Sequence, residues 1–307
     1  MKRSTDTLSR RHALAAALAA APALTLGAQT AQAARPAARK RSLAALQVAA
    51  GKLPIDDPAF NVTVLGKLQG DLSGKVHYSY SVGLVFGLVP GEGPPLADYG
   101  RLLYRVEGVA VRMSRQAANG NIEERSRNWM FYRDAETGQY LDEFRNPYTG
   151  ELLKVPTFRG GISGTVMTPN GPQVSANFSM ESTVFNKPVR LDWRFVGDRA
   201  LISRYAFTRW KESSSGNVKT EMTLDSWVCQ IADLIDQQKL SRIPSTYNWT
   251  SQTEWQTWLG MKGRPGGLLW RIDRTLVSDI EELPRDFVER CEQLLPGKLS
   301  EPLSWES

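Results

Sequence analysis

From Lys75 onward the chain alternates. Val76, Tyr78, Tyr80, Val82 and Leu84 interleave with His77, Ser79, Ser81 and Gly83, a period of two that puts each set on its own face of a strand. The same periodicity recurs at roughly 100–113, 122–133, 139–145, 151–157, 173–184, 188–196, 199–210 and 218–229. The breaks are turn chemistry: Asn119-Gly120, Asp134 to Gly138, Asn146 to Gly150, Asn170-Gly171, Asn186-Lys187-Pro188, Gly197-Asp198 and Ser213 to Asn217. Glycine and asparagine supply the backbone angles that tight hairpins demand. Short gaps predict antiparallel neighbours in sequence order. A run of this many strands leaves less edge exposed if it closes. The expected fold is mainly β: an antiparallel up-and-down barrel or strongly curved, lipocalin-like meander with small helices at both ends.

The helices have local signals. Asp57-Pro58 pairs an N-cap with proline at the first helical position. Phe60, Val64 and Leu68 then share one face, and Gly70 stops the run, so a helix is predicted over 58–69. In the tail, Ser251 and Glu254 form a capping-box pattern before Trp255, Trp258 and Leu259. A glycine-rich loop from Gly260 to Gly267 leads to a last strand near 268–274. Ser278 and Glu281 form a second box before a helix near 284–295. The domain organisation expected is a single β-rich domain over 57–303 with a helical C-terminal segment at about 278–296.

The N-terminus is an export signal by composition. Lys2 and Arg3, then Ser9-Arg10-Arg11-His12-Ala13-Leu14, precede an alanine-rich apolar stretch to Leu26. That stretch is short of the ~20 apolar residues a membrane span needs. Ala31-Gln32-Ala33 offers the small-x-small pattern a signal peptidase cleaves. Residues 1–33 are expected to be a twin-arginine signal, with the twin-arginine translocase as partner during export and the periplasm of a Gram-negative cell as destination. Residues 34–56 are expected to form a basic, alanine-rich linker with a short helix at most. Stable membrane insertion is not expected.

The landmarks Asp134-x-x-Thr137-Gly138, Asn146-Pro-Tyr-Thr-Gly-Glu151, Met261-Lys-Gly-Arg-Pro-Gly266 and Glu282-Leu-Pro284, in that order, resemble those of the bacterial exported domain-of-unknown-function family numbered 1838. The resemblance covers roughly 57–303. It implies frequent export by the twin-arginine route, but no established activity and no catalytic residues.

Composition removes several classes. The net charge is +6, but Lys2, Arg3, Arg10, Arg11, Arg35, Arg39, Lys40 and Arg41 lie in the signal and tail. The body is near neutral and has no electrostatic footprint for nucleic acid. With His12 in the signal, His77 is the remaining histidine, and Cys229 and Cys291 are the two cysteines. Three such residues without ligand spacing do not build a zinc or redox-metal site. No cofactor is predicted, while oxygen-ligated calcium stays open. The two cysteines are either a disulfide or two buried thiols; Cys291 at helical spacing with Phe287 and Leu294 favours the thiols.

His77, Arg105 and Glu107 are the candidate acid–base groups. His77 suits proton transfer near neutral pH. Arg105 and Glu107 share a strand face with Leu103, Val109 and Val111, where a charge is either paired or meets a ligand. Arg127 and Trp129 share another face. Asn146 and Tyr148 sit at a rim or simply form a turn. Trp255 and Trp258 either pack on the sheet or, with Arg264 reaching inward, cover an aromatic-lined pocket. Three functions follow. The first is a protein binding a small apolar or aromatic molecule. The second is a cofactor-independent lyase, isomerase or hydrolase acting on one. The third is a structural envelope protein with a filled interior.

Overall fold

The computed structural model describes residues 41–90, 100–159, 162–174, 180–184, 188–212 and 218–305. The expected signal, the start of the linker, and the turns at Asn186-Lys187 and Ser213 to Asn217 lie outside the described residues. Helix α1 (Leu43–Ala50) begins at Ser42, whose hydroxyl accepts the Ala45 N–H at 3.3 Å. Leu46 and Ala50 are buried, and the packed unit starts at Ser42. This is the short helix allowed for within the stretch expected as a linker over 34–56: its alanine-rich half has the propensity for helix and two apolar groups to bury.

Helix α2 (Pro58–Gln69) starts where its signals place it. The Asp57 carboxylate accepts the Ala59 N–H at 2.9 Å, and Pro58 opens the first turn. Val62, Val64, Leu65 and Leu68 are buried.

Two runs of strands build one antiparallel sheet. The first comprises β1 (Ser73–Leu88), β2 (Arg101–Gln116), β3 (Ile122–Asp134), a hairpin of β4 (Glu143–Arg145) and β5 (Leu152–Lys154) set apart from the sheet, β6 (Phe158–Arg159), β7 (Ser163–Thr168) and β8 (Gly171–Val174). The second comprises β9 (Met180–Val184), β10 (Asp192–Val196), β11 (Arg199–Glu212), β12 (Val218–Gln230), β13 (Ser245–Thr253) and β14 (Gly267–Val277). The order is β10-β11-β12-β13-β14-β1-β2-β3-β7-β8, with β6 on β3 and β9 on β11. The ladder between β14 and β1, from Tyr78–Val277 to Leu88–Gly267, joins the runs. Among the described residues no ladder joins β10 to β8. The sheet nonetheless curls: residues of β7 and of β11, at opposite ends of the order, line one cavity, and the Val189 N–H reaches the Pro169 carbonyl at 2.8 Å.

Strand β13 overturns the helix expected after Ser251. Tyr247, Trp249, Thr250 and Thr253 are aromatic or β-branched and suit a strand. Pairing on both sides, with β12 and β14, outweighs the local cap pattern. A single 3-10 turn, Thr257–Leu259, is all the helix that forms there.

The inner face of the curl is filled at its two ends. One core gathers α1, α2 and α3 (Ile231–Ile235) around Leu65, Ile202 and Trp227. The other packs Tyr104, Tyr132, Phe144, Trp255, Leu259 and Trp270. On the outer face, α4 (Arg285–Leu294) lays Phe287 and Cys291 against Val109, Val111, Trp129 and Phe131. Cys229 belongs to the first inner core and Cys291 to the outer one. Both are free thiols, so the disulfide alternative is corrected: the sheet stands between them. Among the described residues no helix is long and apolar enough to cross a membrane.

Candidate ligand cavity

Between the two inner cores lies a cavity of about 410 Å³. Its apolar wall includes Leu65 of α2, Ile122, Met167, Val189 and Trp249. Gly66 lets α2 approach: a Cβ there would sit 2.9 Å from the Ile122 side chain. Its polar floor follows from strand alternation, which aims Arg112 of β2, Glu124 of β3, Arg204 of β11, Asp225 of β12, Tyr247 of β13 and Arg274 of β14 to the same side.

Four arginines line the cavity; Arg190 is exposed, and two of the three on the floor have carboxylate partners. Arg112 Nη1 lies 3.2 Å from Glu124 Oε2. Arg204 Nε donates to Asp225 Oδ2 at 2.9 Å, and the Tyr247 hydroxyl donates to Asp225 Oδ1 at 2.5 Å. Burial pushes the Tyr247 hydroxyl far up, Arg274 draws it back, and Asp225 adds to the rise. Glu221 accepts from the Ser251 hydroxyl and, at 3.1 Å, from Thr223.

Arg274 differs. Its guanidinium lies over the Tyr247 ring, 4.0 Å from the centroid, an arrangement worth about 0.5–2 kcal/mol. It makes no hydrogen bond or ion pair with the described residues, and its buried Nη2 has no acceptor. Burial pulls it down from 12.5 to about 10; Tyr247, Asp225 and Glu124 offset part of that, and the nearby Arg112 lowers it further. At neutral pH it stays a cation.

His77 borders this floor as the β1 partner of Arg112. Its Nδ1 faces the Lys75 carbonyl at 3.4 Å, which assigns the proton to Nδ1 and the lone pair to Nε2. Nε2 has no partner, nor have the buried hydroxyls of Ser79 and Ser114. Burial first, then Arg112, hold His77 below 6.5, so the ring is neutral at neutral pH.

A family model described as "Protein of unknown function (DUF1838)" matches residues 74–306. The chain belongs to this family. In this DUF1838 member the match runs from the second residue of β1 through β14, while α1 and α2, the latter lining the cavity with Leu65 and Gly66, precede it. No curated protein and no solved structure is significantly similar to the DUF1838 chain.

The candidate residues read from the DUF1838 sequence scatter. Arg105 is exposed and donates from Nε to the Ala135 carbonyl at 2.9 Å; it does not pair with Glu107. Glu107, 5 % exposed, faces outward. It accepts from the hydroxyls of Tyr80 and, at 2.8 Å, Tyr140, and from Arg133 Nε at 2.6 Å. His77 faces the other side of the sheet, so the three do not converge.

Arg127 and Trp129 are also on the outer face. Arg127 holds the C-terminal segment through the carbonyls of Glu301 and Pro302 and lies 5.5 Å from the centre of the Trp129 ring. Asn146 is buried and donates from Nδ2 to the Leu259 carbonyl at 2.7 Å. Tyr148 packs edge-on against Trp255, their centroids 5.7 Å apart. Trp258 donates from its indole to Gln256 Oε1 at 2.8 Å. All four close the second inner core, and Arg264 points to solvent. The aromatic tail is thus packing on the sheet.

What the sequence reading missed is Arg274, Tyr247 and the Arg204–Asp225 pair. A usable signal existed: Leu268, Trp270, Ile272 and Arg274 alternate onto one face, the same pattern that singled out Arg105.

Proposed function

We propose that this DUF1838 protein is an exported binding protein that holds a small organic molecule inside its curled, lipocalin-like sheet. The observation that carries this is the cavity itself. At about 410 Å³ it falls in the ~300–1,000 Å³ range of small-molecule sites, and it joins an apolar wall to a few convergent polar groups. A cavity of this kind also argues against a purely structural envelope protein. The ligand is not purely apolar, because the floor is charged.

The enzyme alternative has one supporting observation. The Nε2 of His77 and the Ser114 hydroxyl both face Gly70, a potential base and a potential nucleophile at one spot that do not hydrogen-bond to each other. Both atoms are sealed from solvent, which favours binding over turnover. Export rests on the Arg10-Arg11 signal at the N-terminus, and replacing both arginines with lysine should leave uncleaved precursor in the cytoplasm.

Native mass spectrometry of protein recovered from its own cell envelope tests the binding reading. Extra mass that leaves on denaturation is expected. Bare protein under gentle conditions, together with no uptake of any small molecule in solution, would sink it.

A further inference from the structure

We infer that the ligand is an organic anion whose acid group sits on Arg274 and whose apolar body lies against Trp249 and Met167. This rests on the cavity being a binding site. It adds the chemical class.

Four of the floor's charges form two ion pairs. Glu124 serves Arg112 and Asp225 serves Arg204. Glu221 is engaged by Ser251 and Thr223. Arg274 is the floor arginine with no acceptor in contact: Asp225 and Glu124 act on it without a direct ion pair, Arg112 opposes them, and the Tyr247 ring supports it. Holding one end of a guanidinium, Nη2, away from water without an acceptor is costly. A strand position facing a core would ordinarily carry an apolar group, as Ile272 and Trp270 do on the same face of β14. A carboxylate or sulfonate brought in by a ligand supplies the missing acceptor, and the planar guanidinium can bind it with two parallel N–H donors. The apolar wall opposite then takes the remainder of the molecule.

Two fluorescent probes share an aromatic body and differ in charge: anilinonaphthalene sulfonate and the neutral phenylnaphthylamine. Wild-type protein should bind the sulfonate at least ~10-fold more tightly. Arg274→Gln should weaken the sulfonate ~10- to 100-fold and leave the neutral probe unchanged, the span expected for a charge-assisted hydrogen bond. Arg274→Lys, which keeps the charge, should recover part of the loss. Arg285→Gln removes the same charge from a side chain that is 93 % exposed and should alter neither. Arg274→Gln should also melt no lower than wild type. Equal binding of both probes, or sulfonate affinity untouched by Arg274→Gln, would overturn the anion class and leave the cavity reading standing. Failure of both probes to bind wild type would overturn both.

Discussion

Glu107 and Arg274 are each a charge on an apolar strand face, and their surroundings give them opposite meanings. Glu107 is saturated by two tyrosine hydroxyls and Arg133, so it ties β1, β2 and β3 together under α4. Glu107→Gln should cost about 1–3 kcal/mol in urea unfolding and leave probe binding intact, since the cavity is on the other face. Loss of binding with unchanged stability would restore it as a site residue. His77 makes a pH prediction. Its folded form titrates below 6.5, so on acidification the unfolded chain takes the proton first. Its contribution is full above 6.5 and is lost as pH falls through that value. Wild type should lose more stability than His77→Gln between about pH 7.5 and about pH 5.5; parallel losses would assign the effect to other groups. At this scale the sequence shows residue type and strand face, which is why His77 and Glu107 could be set on their faces. Pairing could not be read, because Arg133, Tyr140 and Asp286 reach Glu107 or its partner from elements distant in sequence.

Elements with self-contained signals were the legible ones. The Asp57 cap, Pro58 and the apolar stripe fix α2 from a dozen neighbouring residues, and α4 likewise reads from its own periodicity. β13 was illegible because its strand character comes from ladders on both flanks, which a local cap pattern does not register. The Asn146-to-Gly150 turn shows a related split. Its turn role was readable, yet the Asn146 Nδ2 bond to Leu259 that fastens the β4–β5 hairpin over the 255–261 segment crosses the fold. Asn146→Ala should speed amide exchange through 255–261 and cost about 1–3 kcal/mol. Unchanged exchange there would mean the hairpin is held by Phe144 and Tyr148 alone. For α4, Phe287→Ala empties the centre of the outer core and should cost about 3–5 kcal/mol. A cost below ~1 kcal/mol would mean the helix is a loose cover.

For the whole molecule, the antiparallel meander was visible in the spacing of turns. Its closure was not, since whether β8 and β10 pair depends on how far the sheet curls. The two faces of that sheet keep Cys229 and Cys291 apart, with burial pushing both thiols up to about 12. An alkylating reagent should therefore leave native protein unmodified and label both cysteines after unfolding without reductant. Labelling that requires reductant would mean they pair after all. The central ladder has a temporal consequence. β1 leaves the ribosome well before β14, the last of the described strands, yet they are neighbours. Until β14 emerges, the β1–β2–β3 and β11–β12–β13 halves each carry a long open margin. A chain stopped before Gly267 should accordingly associate edge to edge. The chain should complete its fold only once β14 has emerged, in one late step that joins its two halves.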